Sequence, residues 1–212
     1  MKWKYSILLF LLIVVPLSSS FGAGEKLGFK LVTSGIKSLS GSFNDSTAMS
    51  DYLDPGMSYG IGIIHQIFNY YAVEVNIDIG WMSVKKNQRE DSSKEPVFFF
   101  PRISFSNLIS FPVGRMIPYT ILGVSIVPWK FTQDGPGGEA TLFEGEKFQK
   151  MSFGLHGGLG LELRLTEWFS IYGEGAFHYL LCRDEFFFGK GFTEQGILRF
   201  GGGIIFYPFS QQ

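Results

Sequence analysis

Met151-Ser152-Phe153-Gly154-Leu155-His156-Gly157-Gly158-Leu159-Gly160-Leu161-Glu162-Leu163-Arg164-Leu165-Thr166 is the stretch that decides the fold. Its odd positions run Met, Phe, Leu, Gly, Leu, Leu, Leu, Leu; its even positions run Ser, Gly, His, Gly, Gly, Glu, Arg, Thr. A period of two is that of an extended strand, so one face is hydrocarbon and the other polar. After Thr166-Glu167-Trp168 the alternation resumes, with Phe169, Ile171, Phe177, Tyr179 and Leu181 set against Ser170, Tyr172, Glu174, Ala176 and His178. Two such segments joined by so short a link form a hairpin. Each arm is longer than the roughly 5 to 6 residues of a globular strand and long enough for the roughly 9 to 11 that cross a bilayer at a tilt. In a soluble sandwich the apolar face would meet a second sheet; in a membrane barrel it would meet lipid while the polar face lines the lumen.

The rest of the chain supplies six more segments of this kind. The first covers about Lys26 to Leu39, with Leu27, Phe29, Leu31 and Thr33 opposed to Gly28, Lys30, Val32 and Ser34. The second runs from Ser58 to Phe68, the third from Tyr71 to Ser83, and the fourth from Val97 to Phe111. The fifth, Ile117 to Phe131, breaks the rule, because Leu122, Val124 and Ile126 occupy what should be its polar face. It also contains Pro118 and Pro128, and a proline has no N–H for a ladder, so a bulge or a short register is expected there. The last strand runs from about Thr193 to Tyr207.

Composition narrows the class. Among 212 residues there are 27 glycines, 23 phenylalanines, a net charge of −1 and one cysteine, Cys182. An intramolecular disulfide is therefore impossible. The chain begins Met-Lys-Trp-Lys, continues with an apolar core from Ile7 to Leu17, and reaches Ser18-Ser19-Ser20-Phe21-Gly22-Ala23-Gly24. A basic start, a short apolar run and small residues predict a signal peptide over 1–24, leaving 25–212 as the exported domain. No later stretch approaches the roughly 18 consecutive apolar residues of a helical span. Mean hydropathy is nonetheless positive, as lipid-facing strands would make it.

The connections sort by length. Long polar loops follow the first, third, fifth and seventh strands, and tight turns such as Asn69-Tyr70 and Pro112-Val113-Gly114-Arg115 follow the even ones. Alternate strand ends thus face different surroundings, as in barrels with short turns on one side of the membrane and long loops on the other. The expected fold is all-β: an eight-stranded antiparallel up-and-down transmembrane β-barrel after an N-terminal signal peptide. Tyr59, Tyr70, Tyr71, Trp81, Trp129, Trp168, Phe169 and Tyr179 fall near strand ends, where interfacial aromatic girdles sit.

The last strand reads Arg199-Phe200-Gly201-Gly202-Gly203-Ile204-Ile205-Phe206, followed by Pro208-Phe209-Ser210-Gln211-Gln212. It is similar to the C-terminal assembly signal of outer-membrane barrels, which their insertion machinery reads. With its eight strands the exported chain resembles the small outer-membrane beta-barrel superfamily of OmpA/OmpX type, including the OmpW-like and opacity-type porin groups. That resemblance implies residence in the outer membrane of a bacterium with two membranes, in contact with its lipid and the insertion machinery. The roles it implies range from structural anchoring and adhesion to transport of small or apolar molecules.

The polar faces together aim eight charges inward: Lys30, Glu74, Asp78, Arg102, Glu162, Arg164, Glu174 and Arg199. An eight-stranded barrel has an interior just wide enough for side chains, and buried charges must pair, so the balance predicts a salt-bridged plug. His156 and His178 face the same lumen, where hydrogen bonds to carboxylates such as Glu162 and Glu174 would hold them. No metal-ligand spacing, nucleophile context or phosphate loop is present, so neither an enzyme nor a cofactor is expected. Nor is there a basic cluster for nucleic acid. Phe186-Phe187-Phe188, in the loop after the seventh strand, are candidates for external contact with lipid, an apolar ligand or an extracellular partner. The expected function is an outer-membrane barrel with a charge-plugged lumen, acting structurally or through its external loops. The alternatives are a narrow porin, a channel opening sideways between strands four and five at Pro101, Pro118 and Pro128, and a membrane-embedded enzyme.

Overall fold

In the computed structural model residues 26–89, 91–143, 146–183 and 191–210 are described. The segment expected as a signal peptide and Phe186-Phe187-Phe188 lie outside the described residues. Eight strands form the barrel: β1 (Lys26–Ser40), β2 (Gly56–Phe68), β3 (Tyr71–Ser83), β4 (Val97–Ser110), β5 (Met116–Phe131), β6 (Gln149–Arg164), β7 (Phe169–Leu181) and β8 (Gln195–Ser210). Each pairs antiparallel with its sequence neighbours, and β1 pairs with β8 to close the cylinder. Closure leaves no strand edge, so outside the one proline seam described below the wall N–H and C=O groups can be satisfied inside the wall, the condition for spanning lipid with strands.

Alternation of burial follows alternation of sequence. In β1, Gly28, Lys30, Val32, Ser34, Ile36 and Ser38 are buried while Phe29, Leu31 and Thr33 are exposed. Ile77 is 52% exposed, Leu159 67% and Phe200 62%, so the hydrocarbon faces of β3, β6 and β8 turn outward. An outward face this apolar all round the cylinder is far beyond the few hundred Å² a water-soluble monomer leaves bare. Short turns close one end at 69–70, 111–115 and 165–168, with Gly114 at φ 62° in the second. The other end carries, among the described residues, 41–55, 84–89, 91–96, 132–143, 146–148, 182–183 and 191–194, which include two small two-stranded sheets and the short helix Met49–Tyr52.

Strand β5 departs from expectation. Leu122, Val124 and Ile126 lie on its outer face with Leu122 well exposed, while Ile117, Tyr119, Ile121, Ser125, Val127, Trp129 and Phe131 are buried. Both faces are apolar because the inner one packs against apolar layers of the lumen, so hydrophobicity alone could not assign its facing. No bulge forms at Pro118 or Pro128; pairing with β6 is continuous. The prolines act on the other seam. Paired positions of β4 and β5 keep one register from Phe98↔Phe131 to Ser110↔Tyr119, yet rungs are missing between Phe99↔Lys130 and Ile103↔Ile126. Thr132 N donates to Val97 O at 2.9 Å, which marks that position as a hydrogen-bonded pair. Counting by twos along the ladder, Pro101 and Pro128 fall opposite each other in the next hydrogen-bonded pair but one. Both donors are absent there, so the two bonds of that pair are missing and the ladder is open between Phe99↔Lys130 and Ile103↔Ile126.

Trp129 is a second departure. It is 2% exposed and points inward, with Nε1 donating to Ser152 Oγ at 2.9 Å, so it is not part of an outer aromatic girdle. Tyr70 and Trp168 at the turn end, and Tyr59 against Trp81, do face outward.

Candidate functional site

The inner faces of five strands bring six charged side chains to one level of the lumen. Asp78 on β3 stands directly opposite Arg102 on β4, whose Nη2 and Nε donate to Asp78 Oδ2 at 2.6 and 3.1 Å. From β1, Lys30 Nζ donates across the lumen to Glu74 Oε2 at 3.0 Å and to Glu174 Oε2 at 2.7 Å. Arg199 on β8 donates to Glu174 Oε1 and lies 3.7 Å from Asp78 Oδ2. Three cations, Lys30, Arg102 and Arg199, thus face three carboxylates, Glu74, Asp78 and Glu174, and every one is under 7% exposed. Asn76 donates to Glu74, Tyr119 O–H donates to Glu174 Oε2 at 3.2 Å, and Lys30 Nζ sits 4.3 Å above the Tyr172 ring. Room for Tyr119 comes from Gly160 across the β5–β6 pair, where a Cβ would strike the phenol.

Two of the eight inward charges stay outside this network. Glu162 accepts Ser170 Oγ at 2.7 Å and the Tyr207 hydroxyl at 3.2 Å. Arg164, at the end of β6 beside the turns, is half-buried and makes no ion pair among the described residues. The histidines also differ from expectation. His156 and His178 are paired across β6 and β7 with rings stacked at 5.0 Å. Their polar partners are not carboxylates: Arg102 Nη1 lies 2.9 Å from His178 Nε2, and Ser106 Oγ lies 2.9 Å from His156 Nε2. Glu174 is already engaged by Lys30 and Arg199, and Glu162 lies nearer the turn end.

Apolar layers lie on both sides of the ions. Toward the turns are Val32, Ile64, Ala72, Leu108, Tyr119, Ile121, Tyr172, Ile205 and Tyr207. Toward the loops is a larger cap in which Phe98, Phe100, Trp129, Phe131, Phe148 and Phe192 meet Met49, Leu53 and Met82. Phe131 and Phe148 stack at 4.9 Å, Trp129 and Phe192 at 5.4 Å, and Phe98 lies 5.0 Å from Phe131. Cys182 belongs to the cap, and burial pushes its thiol up to about 12, which leaves no reactive thiolate. Sequence reasoning missed this cap. Its signal was present in Val97-Phe98-Phe99-Phe100, a run that is aromatic on both faces of a strand end.

Beside Asp78, Arg102 and His178 the lumen retains a cavity of only about 10 Å³, too small for a solute. Space opens above the cap. A vestibule of about 620 Å³ has Phe43, Tyr52, Phe131 and Phe148 in its floor and Gln88, Arg89, Asp91, Lys94 and Gln133 among its polar lining. Phe43 and Tyr52 stack at 4.0 Å. Ser93 donates to Asp91 from its hydroxyl and its backbone N–H, at 2.6 and 2.9 Å, which holds that carboxyl below its usual range.

No family model matches the chain, and no curated protein does. Among solved structures it is similar to Neisserial surface protein A (NspA), with a TM-score of 0.58 and 15% identity over 86% of this chain and 98% of that one. It is also similar to the outer membrane protein OprG from Pseudomonas aeruginosa, at 15% identity, a TM-score of 0.49, and 87% and 96% of the two chains. At such identity the likeness to the neisserial protein is one of fold: a closed antiparallel barrel of eight strands.

Proposed function

We propose that this protein resides in an outer membrane as a barrel with a lumen closed to solutes, and that it acts structurally and through its loop end. The observation that carries this reading is the layering of the lumen. Six buried ions pair into a neutral network, and apolar side chains seal them from water on both sides. Passage of an ion would have to break several of these pairs while desolvated itself, a barrier of several kcal/mol. The apolar outer face supports contact with lipid, and the vestibule supports contact with an extracellular partner. We assign no catalytic role, since the stacked histidines abut Arg102 and Ser106 in a space without room for a substrate.

Conductance in planar bilayers tests the closure. The purified protein should give no steady single-channel current; a stable open level in the wild type would end the plug reading. Sideways passage is the second reading, favoured by the missing rungs at Pro101 and Pro128. It meets an obstacle just inside the seam, where Phe100 and Trp129 are buried against Phe98 at 5.2 and 5.8 Å.

A further inference from the structure

The seam at Pro101 and Pro128 has an outer side as well as an inner one. Over it lies a groove of about 400 Å³ on the outward surface, lined by Phe99, Pro101, Pro128, Lys130, Gln149 and Met151 among others. In a hydrogen-bonded antiparallel pair both carbonyls aim at the facing strand. Here the facing residue is proline on each side, so neither the Pro101 nor the Pro128 carbonyl receives a ladder donor. Two bare acceptors in a lipid-facing wall are costly unless a donor from outside reaches them. The groove that gives access is floored by apolar side chains, and its rim carries Lys130. That ammonium donates to Gly138 O at 2.7 Å and lies 5.6 Å from the Phe99 ring centroid, which leaves two of its three N–H groups for another acceptor.

We propose that this groove is a binding site for an anionic membrane amphiphile of one chemical class: a phosphorylated glycolipid whose acyl linkages carry amide N–H donors. Its hydrocarbon lies along Phe99, Pro101, Pro128 and Met151, its donors meet the two proline carbonyls, and its phosphate meets Lys130. The placement fits, since the groove lies four residues from the loop-side start of β4, where headgroups of the loop-side leaflet would sit. An ordinary phospholipid shares the phosphate and the hydrocarbon but lacks the amide donors. The site rests on the membrane placement proposed above and not on the closed lumen.

The test folds the protein into nanodiscs of phosphatidylcholine doped with either phosphatidylglycerol or a phosphorylated, hydroxyacylated glucosamine lipid, then counts retained lipid by native mass spectrometry. Wild type should retain the glucosamine lipid about tenfold more than phosphatidylglycerol, the equivalent of one to two neutral hydrogen bonds to the proline carbonyls. Lys130→Gln should lower retention of both lipids severalfold, since both present a phosphate to that ammonium; unchanged retention would overturn the phosphate contact. Pro101→Val with Pro128→Val, which returns both N–H groups to the ladder, should reduce the preference for the glucosamine lipid. Equal retention of the two lipids by wild type, or a preference that survives the paired proline variant, overturns the proposal. Should the paired variant fail to show the gel mobility of a folded barrel, Lys130→Gln and the two-lipid comparison decide alone. A barrel that stays soluble without lipid or detergent would instead overturn the membrane placement, a separate result.

Discussion

Lys30 and Phe98 are both 1% exposed on inner faces of the same cylinder, yet the layers they belong to close the lumen by opposite means. Around Lys30 the main interactions are paired charges, and desolvation opposes each ion, so the layer is held by mutual dependence. Around Phe98 the rings gain from burial and packing individually, and no partner is left charged when one is removed. An ion layer sealed between apolar layers is therefore fragile to single deletions, whereas an aromatic cap loses stability in proportion to the volume removed.

Variants can break or sharpen this contrast. The largest effect is expected for Glu174→Ala, which removes the carboxylate shared by Lys30 and Arg199 and leaves Arg199 only its longer contact to Asp78, between two apolar layers. A loss of about 3 to 5 kcal/mol should appear in urea unfolding of the barrel in phospholipid vesicles. A change below about 1 kcal/mol would mean that water reaches the layer. Trp129→Ala should follow at roughly 3 kcal/mol, the ordinary result of a large buried cavity, with no change in conductance because the ions still close the lumen. Replacing Asp78 and Arg102 together by leucine should cost less than replacing Arg102 alone, roughly 1 to 2 kcal/mol, because the pair leaves together. A double variant no better than the single one would show that Arg199, 3.7 Å from Asp78, carries the coupling. Arg164→Ala should cost no more than about 0.5 to 1 kcal/mol, as expected of a half-buried charge outside the network. Lys94→Ala, on the vestibule lining, should leave the unfolding midpoint within about 0.5 kcal/mol of wild type.

The legible parts of this molecule were those governed by period two. Lys30, Glu74, Asp78, Arg102, Glu174 and Arg199 could be placed on inner faces because their outward neighbours are plainly apolar. Strand β5 resisted because Ile121 beside Leu122, and Ile126 beside Val127, make both faces apolar. Trp129 looked like an interfacial residue for the same reason, its position near a strand end being compatible with either face. The pairing of ions was not legible at all. Glu162 and Arg164 carry the same pattern as Glu174, yet the stagger of tilted strands puts them nearer the turns, beyond reach of Lys30.

By itself the sequence determined the number of strands, the sorting of short turns from long loops, and which side chains of six strands point into the lumen. It could do so because a strand exposes successive residues to opposite surroundings, and those surroundings select opposite chemistry. Only the tertiary structure decided which charges meet, that aromatic rings cap them, and that two prolines twenty-seven positions apart fall face to face in one seam. Register and stagger fix those distances, and both are properties of the closed cylinder, which no single strand contains.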